Sequence, residues 1–169
     1  MKAIRVALFA LAFALSTHSS AVRSEESIDD HSLILLVGTA MEKNTVDGSK
    51  AYGTSLALEF TAIEHQLEIE IGGQYLSTSN PKELGGQIIL KKPFELASDI
   101  ELGVGLGPAI WRKTSSPSSG LQSGVAFVAD FMFWTTKKVG WYLSPSYTYG
   151  MSSGAERVIG LSVGLLFSM

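Results

Sequence analysis

The chain has 169 residues, a length that suits one domain, and its formal net charge of −3 at pH 7 argues against a nucleic-acid partner. The complete absence of cysteine excludes a disulfide scaffold, a lipoprotein and a thiol enzyme. Beyond the N-terminal segment no stretch reaches the roughly 18 apolar residues of a helical span, so a mature chain that enters a membrane must do so as strands.

The chain begins with Lys2 and Arg5, continues with an apolar run from Val6 to Leu15, and then turns small and polar through Ser19, Ser20 and Ala21. That order is the one of a secretory signal peptide, and the run of about ten apolar residues falls short of the roughly 20 that span a bilayer. Residues 1–21 are therefore expected to be removed, with cleavage after Ala21; a retained anchor helix is the alternative. Removing Lys2 and Arg5 from the 13 basic residues leaves 11 against 16 acidic ones, a net charge of −5. Residues 22–32 (VRSEESIDDHS) hold four acids and little to bury, which predicts a solvated acidic leader.

From residue 33 onward the dominant signal is alternation with a period of two, the mark of strands whose faces meet different surroundings. The first segment, LILLVGTAME at 33–42, is almost continuously apolar and leaves its facing open. Tyr52, Thr54, Leu56, Leu58 and Phe60 then alternate with Gly53, Ser55, Ala57, Glu59 and Thr61, and Leu67, Ile69 and Ile71 alternate with Glu68, Glu70 and Gly72. A fourth segment, around 84–92, sets Leu84, Ile88 and Leu90 against Gln87, Ile89 and Lys91. The fifth opposes Ile100, Leu102, Val104 and Leu106 to Asp99, Glu101, Gly103, Gly105 and Gly107, and the sixth opposes Val125, Phe127 and Phe131 to Gly124, Ala126 and Asp130. The seventh opposes Trp141, Leu143, Tyr147 and Tyr149 to Gly140, Ser144 and Ser146, and the last, RVIGLSVGLLFSM, opposes Ile159, Leu161, Val163, Leu165, Phe167 and Met169 to Gly160, Ser162 and Gly164.

Connections after the odd-numbered segments are longer and rich in Ser, Gly, Asn and Pro, and most of those after the even-numbered ones are shorter, which is the asymmetry of outer-membrane barrels. With the even turns on the periplasmic side, Phe60, Phe94, Phe133, Trp134, Trp141 and Phe167 fall near one rim and Tyr52, Tyr75, Trp111, Tyr147 and Tyr149 near the other, as two aromatic belts. The predicted fold is all-β: an eight-stranded antiparallel up-and-down transmembrane β-barrel over residues 33–169. A soluble lipocalin-like barrel would turn the bulky face inward, but eight strands enclose only a narrow interior, which suits the small-residue face.

The inner face is then expected to carry Glu59, Glu68, Glu70, Lys91, Asp99, Glu101 and Asp130 as a polar network centred on Lys91 in the periplasmic half. The excess of acids over Lys91 calls for a protonated carboxyl or a bound cation. Catalytic chemistry has no foothold: past residue 21 the histidines are His31 and His65, neither at metal-ligand spacing, and the outer loops offer serines but no histidine base. The run GVGLG at 103–107 continues as strand alternation through Pro108, not as a helix, so it reads as packing and not as a phosphate loop. No catalytic residue, metal or cofactor is expected. Lys43, Lys50, Lys82, Arg112, Lys113 and Arg157 fall at the outer rim, where they serve either as contacts to lipopolysaccharide phosphates or as solvated charge.

The signal peptide, the alternating segments and the ending VGLLFSM make residues 33–169 resemble the small eight-stranded outer-membrane barrel proteins of Gram-negative bacteria. KKPFELASDIELGVGLGPAIW and DFMFWTTKKVGWYLSPSY resemble segments of poorly characterised proteobacterial barrel proteins. The resemblance implies an outer-membrane location, outer-membrane lipids including lipopolysaccharide as surroundings, and the barrel-assembly machinery as a partner during biogenesis. That machinery reads a terminal aromatic in the family, whereas here Met169 is last and Phe167 stands two before it. The expected role is structural or surface-interacting with a side-chain-filled lumen. The alternatives are narrow porin-like transport of small solutes and a soluble periplasmic ligand-binding barrel.

Overall fold

The computed structural model describes residues 33–77, 82–114, 120–151 and 156–169. The predicted signal peptide and acidic leader lie outside the described residues. Eight strands follow in order: β1 (Leu33–Asn44), β2 (Lys50–Ile63), β3 (Leu67–Ser77), β4 (Lys82–Ala97), β5 (Ile100–Thr114), β6 (Leu121–Trp134), β7 (Val139–Gly150) and β8 (Arg157–Ser168). Each pairs antiparallel with its chain neighbour, and β8 pairs with β1 from Ile34↔Ser168 to Asn44↔Val158, closing the barrel. Closure leaves no strand edge unpaired, the condition for crossing a hydrocarbon layer with strands.

The alternation read from the sequence becomes the two faces of the wall. Val37, Met41, Leu56, Leu58, Ile71, Leu90, Val104, Leu106, Phe127, Val163 and Leu165 are large, apolar and exposed on the outside. A surface of this kind, wrapped round the whole barrel, has no place in water and requires lipid. Phe133 and Trp141 stack on it at the short-turn end, with centroids 4.0 Å apart and planes 10° from parallel.

The strands run longer than the sequence segments. β4 continues through Phe94 to Ala97, with a bulge opposite Glu101, so the connection to β5 is only residues 98–99. All three turns at that end are therefore tight (64–66, 98–99 and 135–138), while the other end is joined by 45–49, 78–81, 115–120 and 151–156. Within the first of the longer connections Gly48 takes φ 76°, Asn44 Oδ1 accepts from the Val46 amide at 2.8 Å, and Asp47 Oδ1 accepts from the Ser49 amide at 2.9 Å.

Candidate functional site

The charged side chains gather where the inner wall has least bulk. Lys91, on β4, is wholly buried and lies along β5, its side chain over Gly103 and Gly105. A Cβ at Gly105 would overlap Lys91 Cγ and the Leu90 carbonyl oxygen, so the glycines are what let a lysine lie flat inside an eight-stranded wall. The Lys91 ammonium donates to Asp130 Oδ2 on β6 at 2.6 Å and to Glu70 Oε2 on β3 at 3.0 Å, and it contacts the Glu59 carboxylate on β2. Gln87 Nε2 donates to the other Glu70 oxygen at 3.0 Å. Four strands are thus tied to one cation across the lumen.

Removing four charges from water is costly, and only close, multiple pairing offsets it. Glu59, Glu70 and Asp130 could in principle ligate a metal ion, since their oxygens lie within 4.8 Å of one another. The cation at their centre is Lys91 itself. Beside this cluster, Glu68 is the cross-strand partner of Lys91 and stands against Glu101.

Towards the short-turn end, the lumen is filled by Ile34, Leu36, Met132, Trp134, Tyr142 and Leu166, packed into one apolar cluster from β1, β6, β7 and β8. Tyr142 closes it from above, its hydroxyl 3.1 Å from Ser55 Oγ. The acids of β2, β3 and β5 and the apolar residues of the opposite wall therefore share one level of the barrel. At the long-loop end, Lys113 Nζ donates to Glu156 at 2.6 and 2.8 Å and lies 3.8 Å from Glu83 Oε2, while Gln74 donates to Glu42 at 2.5 Å.

No protein-family model matches the chain, and no curated protein does. Solved structures do. Neisserial surface protein A is similar over 82% of this chain and 97% of its own, with 14% identity and a TM-score of 0.65. The N-terminal β-barrel domain of OprF from Pseudomonas aeruginosa is similar over 80% of this chain and 98% of its own, at 16% identity and a TM-score of 0.57. Ail, the attachment invasion locus protein of Yersinia pestis, covers 80% of this chain and 96% of its own at 15% identity and a TM-score of 0.51. The fold is that of the small eight-stranded outer-membrane β-barrels.

Within this barrel, Glu59, Glu70, Lys91 and Asp130 come together, and Glu68 and Glu101 adjoin them. Asp99 does not. It sits exposed in the two-residue turn between β4 and β5, because the bulge and the lengthened β4 pair Lys91 with Gly105 and not with Asp99. Two members assigned to the aromatic belts also change face: Trp111 and Trp134 are buried inside the barrel, one position out of phase with the outward Ile110 and Phe133. Lys113 likewise turns inward to Glu156, leaving Lys43, Lys50, Lys82, Arg112 and Arg157 exposed at that rim.

The apolar filling and the Lys113 group escape the sequence reading. The near-continuous apolarity of LILLVGTAME is the trace of the first, since a strand bulky on both faces must fill the lumen as well as meet lipid. The second left no trace, because Glu156 comes from beyond the seventh strand.

Proposed function

We propose that this is an integral outer-membrane protein, exported by its N-terminal segment, with a structural or surface-interaction role and a lumen plugged by its own side chains. The long connections then face the cell exterior and the tight turns the periplasm. One observation carries the reading: the Lys91 ammonium is buried between carboxylates from β2, β3 and β6, so the lumen is bridged at its narrow level by side chains paired through one cation. The apolar cluster around Leu36, Met132 and Leu166 fills the opposite side of the lumen at that level.

The lipid-facing rim supports a role at the membrane surface. Lys43, Lys50, Lys82, Arg112 and Arg157 are exposed on the outward face, whereas Glu42, Glu83 and Glu156 at the same level turn inward to Gln74 and Lys113. The outward rim of β8, β1, β2, β4 and β5 is thus cationic and suited to the phosphates of outer-leaflet lipids such as lipopolysaccharide. The barrel is read as non-catalytic, inserted by the barrel-assembly machinery through β8.

Single-channel recording on the protein refolded into planar bilayers tests the plug. The expected trace is flat. Steady conductance would replace this reading with narrow solute transport along the inner carboxylates.

A further inference from the structure

A groove crosses the outer wall of the barrel, lined by Val37, Leu56 and Leu58 from β1 and β2 and by Ile71, Tyr75 and Leu84 from β3 and β4. Its floor is bare at Gly73, which is exposed on the outside and stands across the ladder from Gly86. A Cβ at either glycine would meet nothing nearer than a carbonyl oxygen, at 3.6 and 3.7 Å, whereas one at Gly105 or Gly107 would overlap its neighbours. The inward glycines let the protein's own atoms approach, while Gly73 and Gly86 leave room for something outside it.

Charge at the rim above the groove selects the occupant. Lys43 stands directly across from Lys50 on β1 and β2. Lys82 on β4 has Arg112 on β5 as its diagonal neighbour, because Lys82 pairs with Thr114 and Leu84 with Arg112. All four are exposed, and among the described residues none of them pairs with a carboxylate. Like charges set directly opposite destabilise a ladder, and an anion held between them removes that cost. Three strand spacings separate the two cation pairs, roughly 14 Å along the wall at about 4.8 Å per strand. Tyr52 and Tyr75 are exposed just below them, as rings at headgroup level are. A second copy of this chain is a poor occupant, since a two-fold axis here would set Lys82 and Arg112 against their own copies.

We propose that the groove and the two cation pairs form a seat for a multiply acylated lipid with a phosphate at each end of its headgroup, the chemistry of lipid A in lipopolysaccharide. Lys43 and Lys50 take one phosphate, Lys82 and Arg112 the other, and one acyl chain lies over Gly73. A chain gains no hydrophobic burial by leaving its lipid neighbours, so the seat selects by packing contact and by charge. It rests on the outward-facing long connections proposed above.

Native mass spectrometry of the detergent-refolded barrel with diphosphoryl lipid A, monophosphoryl lipid A and phosphatidylglycerol tests it. One diphosphoryl lipid A is retained, about tenfold more tightly than either of the other lipids. Lys43→Gln with Lys50→Gln weakens it about tenfold and removes the preference over the monophosphoryl form. Gly73→Leu fills the groove with every charge in place and weakens retention about fivefold. Ala129→Leu, which adds the same kind of bulk to the outer wall at β6, opposite Val104, changes nothing. Absence of retained diphosphoryl lipid A, equal retention of the three lipids, or equal effects of Gly73→Leu and Ala129→Leu would overturn the proposal. The three-lipid comparison on the unaltered protein decides the matter even if no variant folds. A barrel that inserts into vesicles without this preference loses the seat and keeps its membrane assignment, whereas failure to insert strikes both.

Discussion

Lys91 and Asp130 meet inside the barrel, Nζ to Oδ2 at 2.6 Å, although their strands β4 and β6 are separated by the whole of β5. The contact exists because β5 offers Gly103 and Gly105 on its inner face, leaving a trough one side chain deep. Composition of one strand thereby sets the electrostatics of its two neighbours.

Replacing Lys91 with Met leaves three buried carboxyls without their cation. The expected loss is about 3–5 kcal/mol, the scale for breaking a buried ion pair from one side. It is read as a lower melting temperature of the β-sheet circular dichroism signal in detergent. Adding Glu59→Gln to that variant should recover part of the loss, because one stranded charge is gone. A melt equal to that of the unaltered protein would deny the cluster its structural role.

The glycines divide by face in the same way. Gly105→Val drives a side chain into Lys91 and the Leu90 carbonyl and should cost roughly 1–3 kcal/mol or more. Gly73→Ala, where the nearest atom to a new Cβ is the Gly85 carbonyl oxygen at 3.6 Å, should be neutral or stabilise by about 0.5–1 kcal/mol. Urea unfolding of the two variants in lipid vesicles compares them directly; equal effects would contradict the trough.

Val163 lies midway along β8, opposite Thr39 and Leu143, and is 46% exposed on the outside. Val163→Arg should destabilise the vesicle-inserted barrel by about 2–4 kcal/mol, the cost of a cation near the bilayer midplane. In a soluble barrel an exposed arginine at this site would be tolerated. Insertion unchanged by the substitution would reverse the assignment of the faces.

Asp47, in the connection between β1 and β2, is held below the ordinary carboxylate range by accepting hydrogen bonds from the Ser49 hydroxyl and amide. A depressed folded value means the contact is fully present above the unfolded Asp value of about 3.9 and is lost as pH falls through the lower folded value. The Ser49 amide resonance should therefore hold steady from neutral pH down to about 4 and titrate with a midpoint beneath the ordinary Asp value. A midpoint at or above that value would show the two hydrogen bonds absent in solution.

Much of this molecule is written in its period of two. Ile159 to Met169 alternating with Gly160, Ser162 and Gly164 announces a strand with one lipid-facing side, and β8 pairs along its length with β1 and β7. Number of strands, order, antiparallel pairing and the outward direction of the bulky faces all follow from patterns local to each segment. Simple counting from the turns also brings Glu68 opposite Lys91, because the β3–β4 ladder has no bulge.

What is not local was not legible. A bulge near Glu95 and Ala97 changes which residues oppose one another in the next hairpin, and with it Asp99 moves from the expected network to an exposed turn. Trp111 and Trp134 are a different case: position along the strand makes them look like belt residues, while the local period of two, one step out of phase with Ile110 and Phe133, already turns them inward. The Lys91 and Lys113 groups each draw on strands that are not adjacent, so their membership depends on the curvature that brings opposite walls together. Sequence determined the wall, since backbone pairing and a two-residue period act between neighbours; the contents of the lumen were decided by closure, since only a closed barrel sets residues from β2, β3, β4 and β6 around one point.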